Sequence, residues 1–401
     1  MLTTVAVAGY RSLRDVVLPL APLTVVTGAN GAGKSSLYRA LRLLASAAEG
    51  DLVRDVARSG GLEALRWAGP ENPRGAMRRG EVPVQGTVRS GPVRLLLGVG
   101  TDELGYAVDL GLPTPSEAGR FPHDPSVKAE VVFAGSFARP ASVLVERRGA
   151  RVRQRGDGGW EPVPDPVAAS ASILTELADA RTSPEVVGVR RMLGRWRFHD
   201  QLRVDDGAPA RRPQVAVRST VLADDGANLA ATLATIEEIG RADVLAAAVA
   251  RALDGSSIEV RDVRLGHGDV RVGHEGAGTG HLELVLRQPG LLRPVRAPEL
   301  SEGTLRFLML AAALLSPRPP ELLVLNEPEG SLHPTLLAPL AALIADAAQE
   351  TQILVVTHAS ALSDALARHG AEGVELVKEG GETRVAGLGT LEQPPWRWPE
   401  R

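Results

Sequence analysis

Three short apolar runs open the chain, VAVAG, DVVLPL and LTVVTG, each of strand length and rich in Val, Thr and Leu. The spacing changes after Gly33. In KSSLYRALRLLASAA, Leu37, Ala40, Leu41 and Leu44 recur at three- and four-residue intervals, which predicts a helix opened by a glycine-rich turn. Further β-like runs follow a Gly/Pro-rich stretch at 68–80: VRLLLGVG, YAVDLGL, VKAEVVFAG and SVLVERRG, separated by turn residues and read as a mostly antiparallel sheet. From about residue 166 the pattern turns helical, at 168–180, 184–199 and 228–253, until the turn Asp254-Gly255-Ser256 and the strands IEVRDVRL and LELVLRQ.

The last third alternates most cleanly. A helix from Glu302, strand ELLVLN, a helix from Pro334, strand QILVVT, a helix from Ser360 and strand GVELVK come in close order, which implies parallel strands with helices on their faces. The expected fold class is α/β, with a mixed sheet core, an antiparallel β subdomain and an inserted helical lobe. The expected boundaries are 1–165 for the N-terminal part of the core, 166–257 for the helical lobe and 258–401 for the C-terminal part. Neither sustained heptads nor a repeat of 20–50 residues is present, so a coiled coil and a solenoid are not expected.

Composition narrows the function classes. The chain has 401 residues, 44% apolar and 23% charged, with a net charge of -3, which suits a soluble globular protein rather than a basic coat for nucleic acid. It has no cysteine, which excludes disulfides, thiolate zinc sites and a cysteine nucleophile. The N-terminus lacks signal-peptide character, and the most apolar window, 307–325, is broken by Ser316-Pro317-Arg318-Pro319-Pro320. A cytoplasmic protein with no membrane segment is expected. Of 45 basic residues, only Lys34, Lys128 and Lys378 are lysines.

Lys34 lies in the first chemical motif. Gly28-Ala29-Asn30-Gly31-Ala32-Gly33-Lys34-Ser35 fits G-x-x-x-x-G-K-[ST] and falls between the predicted strand and helix, with Ser36 next. Chance yields this pattern in roughly 3 of 1000 chains of such composition. Its glycines let backbone N–H groups turn towards a phosphate chain, Lys34 reaches the β- and γ-phosphates of ATP, and the Ser35 hydroxyl meets Mg2+. A compact ammonium suits that place better than a broad guanidinium.

Three further motifs gain meaning from the first. Strand LLVL ends in Asn326-Glu327-Pro328-Glu329, and in an open α/β sheet that end faces the ligand crevice, so Glu327 is placed to orient or deprotonate water. Read alone, it is a strand followed by an acidic turn. Ser301-Glu302-Gly303-Thr304 opens the preceding helix as an anion-binding start or an ordinary N-cap. His358, after strand ILVVT, brings an imidazole able to bond a γ-phosphate, although a lone histidine there is usually structural.

On the residues GYRSL at 9–13, GANGAGKSS at 28–36, LSEGTLRFL at 300–308, LNEPEGSLHP at 325–334 and VVTHAS at 355–360, the chain resembles the ATP-binding-cassette-type ATPases of the wider AAA-labelled group. That group includes recombination-repair, chromosome-maintenance and overcoming-lysogenization-defect ATPases and stand-alone bacterial members. The resemblance implies a P-loop ATPase lobe built from both chain ends, with Lys34 and Glu327 serving one site. It implies that Ser301 and Gly303 contact the γ-phosphate held by a second subunit, that Ser331-Leu332-His333 is the loop between subunits, that His358 is the switch histidine, and that two ATPs are sandwiched in a head-to-tail homodimer. Asn326 stands where the group usually has a metal-assisting aspartate. Its amide can accept a bond from metal-bound water but adds no charge, so slow turnover is expected. Gln85 is a weak candidate for the Q-loop glutamine.

Nucleic acid, DNA or RNA, is a candidate partner through two basic clusters, as is an effector protein. The first cluster is RRGARVRQR, from Arg147 to Arg155, and the second is Arg190, Arg191, Arg195 and Arg197 with Trp196 for stacking. Solvated arginine faces are the plain alternative. Asp205-Asp206 and Asp224-Asp225 are possible metal carboxylates, but adjoining glycines mark turns, so nuclease chemistry is not expected. Arg11 fits either a phosphate or subunit contact or a strand-edge salt bridge. Two functions follow: an ATP-hydrolysing dimeric switch, or a binding module in which ATP only locks the dimer.

Overall fold

The structure, a computed structural model, describes residues 1–70, 91–114, 120–200, 202–265, 270–272, 280–389 and 393–401. Gln85 lies outside them. The chain forms two compact units, one of Met1–Trp196 with Gly373–Arg401 and the other of Arg197–Glu372.

The first unit carries β1 (Leu2–Tyr10), β2 (Leu13–Pro19), β3 (Leu23–Gly28), β4 (Leu95–Thr101), β5 (Leu104–Gly111), β6 (Ser126–Ala134), β7 (Val143–Arg148), β8 (Arg151–Gly156) and β9 (Gly159–Pro162). All but β3 form one antiparallel sheet in the order β2-β1-β4-β5-β6-β7-β8-β9, as the runs of short strands predict. Helix Lys34–Glu49 buries Leu37, Ala40, Leu41 and Leu44, the positions read from its spacing, and ends at Gly50, whose N–H bonds the Ser46 carbonyl. Only Ile173–Glu176 of the expected 168–180 helix forms. Its start is tied elsewhere: Ser172 caps the Leu174 N–H, and the Ile173 N–H donates to the Glu130 carboxylate.

The pleat divides the first basic cluster. Successive strand residues face opposite sides, so Arg147 points with Val145 and Val152 into the interior, while Arg148, Arg151, Arg153 and Arg155 share the other side with Glu146. Arg147 is fully buried and donates to Glu130 at 2.8 Å and to the carbonyls of Gly149, Ala168 and Ala171. Tyr106 and Ser172 donate to the same carboxylate at 2.5 Å. Satisfied in this way the pair costs little, whereas removing one partner would strand a charge in the core. Arg147 therefore does not track a phosphate backbone. Trp196 of the second cluster is 3% exposed and offers no open ring face to a base.

A segment that periodicity did not reveal also packs on this sheet. Trp396 and Trp398 rest against Ala107, Val131, Phe133 and Ala138, and a Cβ on Gly98 would come within 2.2 Å of Trp396. Arg401 donates twice to Asp109, and Arg94 joins that carboxylate to the Pro399 carbonyl.

The second unit has β10 (Arg197–His199), β11 (Gln214–Val215), β12 (Ser257–Leu265), β13 (Val270–Val272), β14 (His281–Arg287), β15 (Val295–Arg296), β16 (Leu322–Asn326) and β17 (Gln352–Val356). Parallel strands run in the order β10-β16-β17, pairing His199 with Leu325 and Asn326 with Val356. Their near-continuous apolar runs suit strands covered on both faces, here accompanied by helices Glu302–Leu314, Leu337–Ala347 and Ser360–Arg368. A smaller antiparallel sheet has the order β11-β14-β12-β13, with β15 beside β14. The helical stretch expected at 228–253 is two helices, Leu229–Ile236 and Ala242–Ala252, broken where Gly240 takes φ 90°.

The last strands, β18 (Glu372–Glu379) and β19 (Glu382–Val385), form an antiparallel hairpin, and β18 lies beside β3. No helix among the described residues is long and apolar enough to cross a membrane.

Candidate nucleotide site

In the first unit the chemistry begins where β3 ends. Gly28, Gly31 and Gly33 take φ of 143°, 80° and 113°, so the loop needs residues without Cβ to make its turns. Two of them also meet close neighbours. A Cβ on Gly28 would lie 2.3 Å from the Leu376 carbonyl oxygen, and one on Gly33 would lie 2.3 Å from Thr383 Oγ1. The hairpin β18–β19 thus supports the loop from behind. The Thr383 hydroxyl donates to the Ala32 carbonyl at 2.7 Å and meets Ser12 Oγ at 2.8 Å, while its own N–H bonds the Ser12 carbonyl.

Ala29, Asn30 and Gly31 form the exposed apex of the loop, with Ala32, Gly33 and Lys34 buried beneath it. Lys34 Nζ donates to the carbonyls of Gly28 at 2.6 Å and Ala29 at 3.2 Å, so its charge is held against the loop it serves. Ser35 is exposed and Ser36 half-buried on the first turn of helix Lys34–Glu49, whose N-terminal N–H groups favour an anion.

In the second unit, Asn326, Glu327 and His358 gather at the carboxyl ends of β16 and β17. The Glu327 N–H bonds the Val356 carbonyl at 2.8 Å, and its φ of 48° lies in the left-handed region. A non-glycine residue held there costs about 1 to 2 kcal/mol. That conformation leaves the Glu327 side chain half-exposed, with one oxygen 3.7 Å from His358 Nδ1.

Glu329, two residues further on, holds this edge together. One oxygen accepts from the Thr357 hydroxyl at 2.5 Å, the His358 N–H at 3.2 Å and the Ala359 N–H at 3.3 Å, and it lies 3.5 Å from His358 Nδ1. The carboxylate thereby clamps the turn after β17 to the turn after β16. Arg306, one and a half turns into helix Glu302–Leu314, donates to the Glu327 carbonyl at 2.9 Å and the Pro328 carbonyl at 3.3 Å. Burial draws the Arg306 guanidinium below its usual pKa, and Glu329 and Glu327 oppose that shift.

Ser301 caps the same helix by accepting from the Thr304 N–H at 3.1 Å, and its hydroxyl also meets Thr304 Oγ1 at 2.8 Å. A Cβ on Gly303 would lie 2.8 Å from the Ser331 carbonyl oxygen, so this glycine permits the helix start to approach the Ser331-Leu332-His333 turn. Ser331 has φ 59°, and His333 caps the short helix Pro334–Leu336. Behind Ser301, the buried Arg211 guanidinium donates to the carbonyls of Ala297, Pro298 and Leu300, fixing the chain that enters the helix.

Sequence reasoning named Lys34, Glu327, His358, Ser301 and Gly303 but gave no role to Thr383, Arg306, Arg211, Glu329 or Thr357. Arg306, Glu329 and Thr357 carry a signal, being charged or polar within the motifs themselves. No group of three or more His, Asp or Glu able to hold a metal occurs among the described residues. The Ser35 hydroxyl in the first unit and the Asn326 amide oxygen in the second are each oxygen donors of the hard kind that Mg2+ takes. Asp205 is occupied by Arg203 and the Gly207 N–H.

The family model described as "AAA domain, putative AbiEii toxin, Type IV TA system" matches residues 23–107 and 178–364, more than half of the chain. The protein belongs to this family. Its fold is that of the ABC-type ATPase heads: a structure titled as an SmcHead bound to the C-winged helix domain of ScpA aligns over 97% of this chain and 98% of its own, at TM-score 0.52 and 15% identity. An Smc head domain with an extended coiled coil, from Pyrococcus furiosus, aligns over 96% of this AAA-domain chain at TM-score 0.48 and 15% identity. The OLD nuclease of Thermus scotoductus (strain ATCC 700910 / SA-01) is 48% identical over 44 residues, 11% of this chain and 8% of that protein. This AAA-domain protein is thus a P-loop ATPase by family, with the fold of an Smc head.

Proposed function

We propose that the protein binds ATP with Mg2+, hydrolyses it, and uses the nucleotide to drive a head-to-tail homodimer that acts as a switch in DNA-related or defence processes. The observation that carries this reading is the strained, half-exposed Glu327 at the end of β16, backed by the Glu329 clamp and within 3.7 Å of His358. Strain of this kind persists where surrounding structure imposes it, and it keeps a carboxylate turned outward where burial alone would not.

In this reading Gly28 to Ser36 hold the phosphates, Lys34 neutralises their charge and Ser35 meets the metal. Glu327 accepts a proton from the attacking water as its oxygen bonds the γ-phosphorus and the bond to the ADP oxygen breaks. His358 steadies the γ-phosphate. Ser301 and Gly303 serve the nucleotide held by a second copy, which suits the exposed start of their helix. The work is cytoplasmic. A second reading keeps the ATP lock with little hydrolysis, and Asn326 favours it because the metal loses a negative neighbour.

Phosphate release and particle mass, measured with and without ATP for wild type and Glu327→Gln, decide between them. Hydrolytic switching predicts release by wild type, loss of release in the variant and an ATP-stabilised dimer in both. No release from wild type leaves the binding module, and an unchanged particle mass removes the dimer.

A further inference from the structure

On the sheet face that the pleat gives to Arg148, Arg153 and Arg155, the strands and the C-terminal segment enclose a cavity of about 310 Å3. Five guanidinium groups line it, from Arg139, Arg148, Arg153, Arg155 and Arg397, against two carboxylates, Glu146 and Glu400. Glu146 is shared by Arg148 and Arg153, and Glu400 by Arg148 and Arg397. Burial raises the pKa of Glu146, but the bonds from Arg153 and Arg148 outweigh it and hold the group below its usual range, so it stays ionised and matched.

Arg139 and Arg155 lie over aromatic rings, Arg139 4.3 Å from the centre of Phe137 and Arg155 4.5 Å from that of Trp160, which Arg153 also approaches at 4.5 Å. Stacking fixes the plane of a guanidinium and leaves its edge of N–H donors free to fork onto an anion. Trp398, Pro140 and Val143 line the same cavity with flat and apolar surface. Anion-binding guanidinium edges and an aromatic ring lining one space the size of a small ligand match a phosphate joined to a planar base.

We propose that this cavity binds a nucleotide unit, its phosphate on Arg139 and Arg155 and its base against the Trp398 side, as a free nucleotide or within a single strand. A duplex keeps its bases stacked on one another and leaves the aromatic wall without a partner. None of the P-loop residues lines the cavity, so the proposal stands apart from the ATPase reading.

The test uses the full chain, without ATP or Mg2+, and a fluorescently labelled single-stranded oligothymidylate, with thymidine monophosphate and oligoglutamate as competitors. Both Arg139 and Arg155 are exposed, so the pair Arg139→Glu with Arg155→Glu should keep the wild-type melting temperature, and the milder Arg139→Gln with Arg155→Gln repeats the test without charge reversal. The expected result is wild-type binding weakened about tenfold or more in either pair, with a salt dependence shallower by about 0.7, for the one lost phosphate contact. Competition by thymidine monophosphate assigns the cavity to one free nucleotide, and its failure assigns it to a strand. Absence of wild-type binding, equal binding by the variants, or competition by oligoglutamate as strong as that of unlabelled oligothymidylate overturns the proposal.

Discussion

Two carboxylates and two histidines lie at the carboxyl ends of β10, β16 and β17, and one of each is open while the other is enclosed. Glu327 and His358 have side chains 49% and 55% exposed. Glu329 and His199 are 7% and 3% exposed. Of the open pair, Glu327 rests on a strained backbone; the enclosed Glu329 makes three bonds, and His199 sits with Nδ1 buried and no partner among the described residues. In the proposed function, residues of the same type at the same edge divide the work, with chemistry given to the open pair and rigidity to the enclosed one.

The largest effect is expected at the open carboxylate. Glu327→Gln keeps shape and hydrogen bonding but removes the base, and phosphate release should fall by about a thousandfold, equivalent to about 4 kcal/mol. Its unfolding midpoint should stay within error of wild type. A fall in stability instead would place Glu327 with the enclosed group. Glu329→Ala should do the reverse first: it strands the Thr357 hydroxyl and two N–H groups, costing about 3 kcal/mol of stability in denaturant unfolding. Glu327→Ala should cost less than about 0.5 kcal/mol on the same assay.

His199 supplies the pH arm. Burial pushes its imidazole down to about 4, with Asp200 working against that shift and Arg197 with it. Above the unfolded value of 6.5 both states are neutral and nothing is lost. As pH falls below it the unfolded chain takes a proton that the folded chain refuses, so stability declines by about 1.4 kcal/mol per unit, to a total of about 3 kcal/mol near pH 4. Urea unfolding at pH 7 and pH 5 should show this slope in wild type and in His358→Gln, and a shallower slope in His199→Gln. A slope unaffected by His199→Gln would mean that burial of this ring does not set the response.

A smaller effect is expected where the helix meets the open carboxylate. Arg306→Ala removes the donors to the Glu327 and Pro328 carbonyls, and about 1.5 to 2 kcal/mol of positioning, or roughly 10- to 30-fold in phosphate release, should go with them. ATP affinity should change little, since Arg306 holds the backbone of Glu327 and is not among the P-loop residues. Equal losses in affinity and turnover would show that Arg306 supports the whole unit rather than this edge.

How much of this division the sequence displays depends on what each residue is bonded to. The strand–loop–helix at Gly28 to Lys34, the helix from Ser301 and the strand ends at Asn326 and Thr357 follow from local spacing and glycine placement, and the structure has them where the pattern puts them. Thr383 is bonded to Ser12 and Ala32, more than 350 residues away, so no local pattern reveals it. Arg147 and Arg148 are neighbours of one type, yet the pleat buries one and exposes the other, which a charge run conceals until the strand's facing is known. The 168–180 stretch has helical spacing over most of its length, but bonds to Glu130 and Arg147 claim its backbone first.

The smallest expected effect concerns Asn326, which ends β16 half-buried beside Val356. Its amide oxygen can accept a bond from metal-bound water but brings no charge, so Mg2+ in the proposed site relies on the nucleotide phosphates and the Ser35 hydroxyl. Asn326→Asp adds a charge beside Glu327 without changing size. If the metal reading is right, phosphate release should rise a few-fold, less than about tenfold, and need less Mg2+ to saturate. A rate no higher than wild type at any Mg2+ concentration would show that Asn326 does not limit turnover, and the open carboxylate would then owe its rate to position alone.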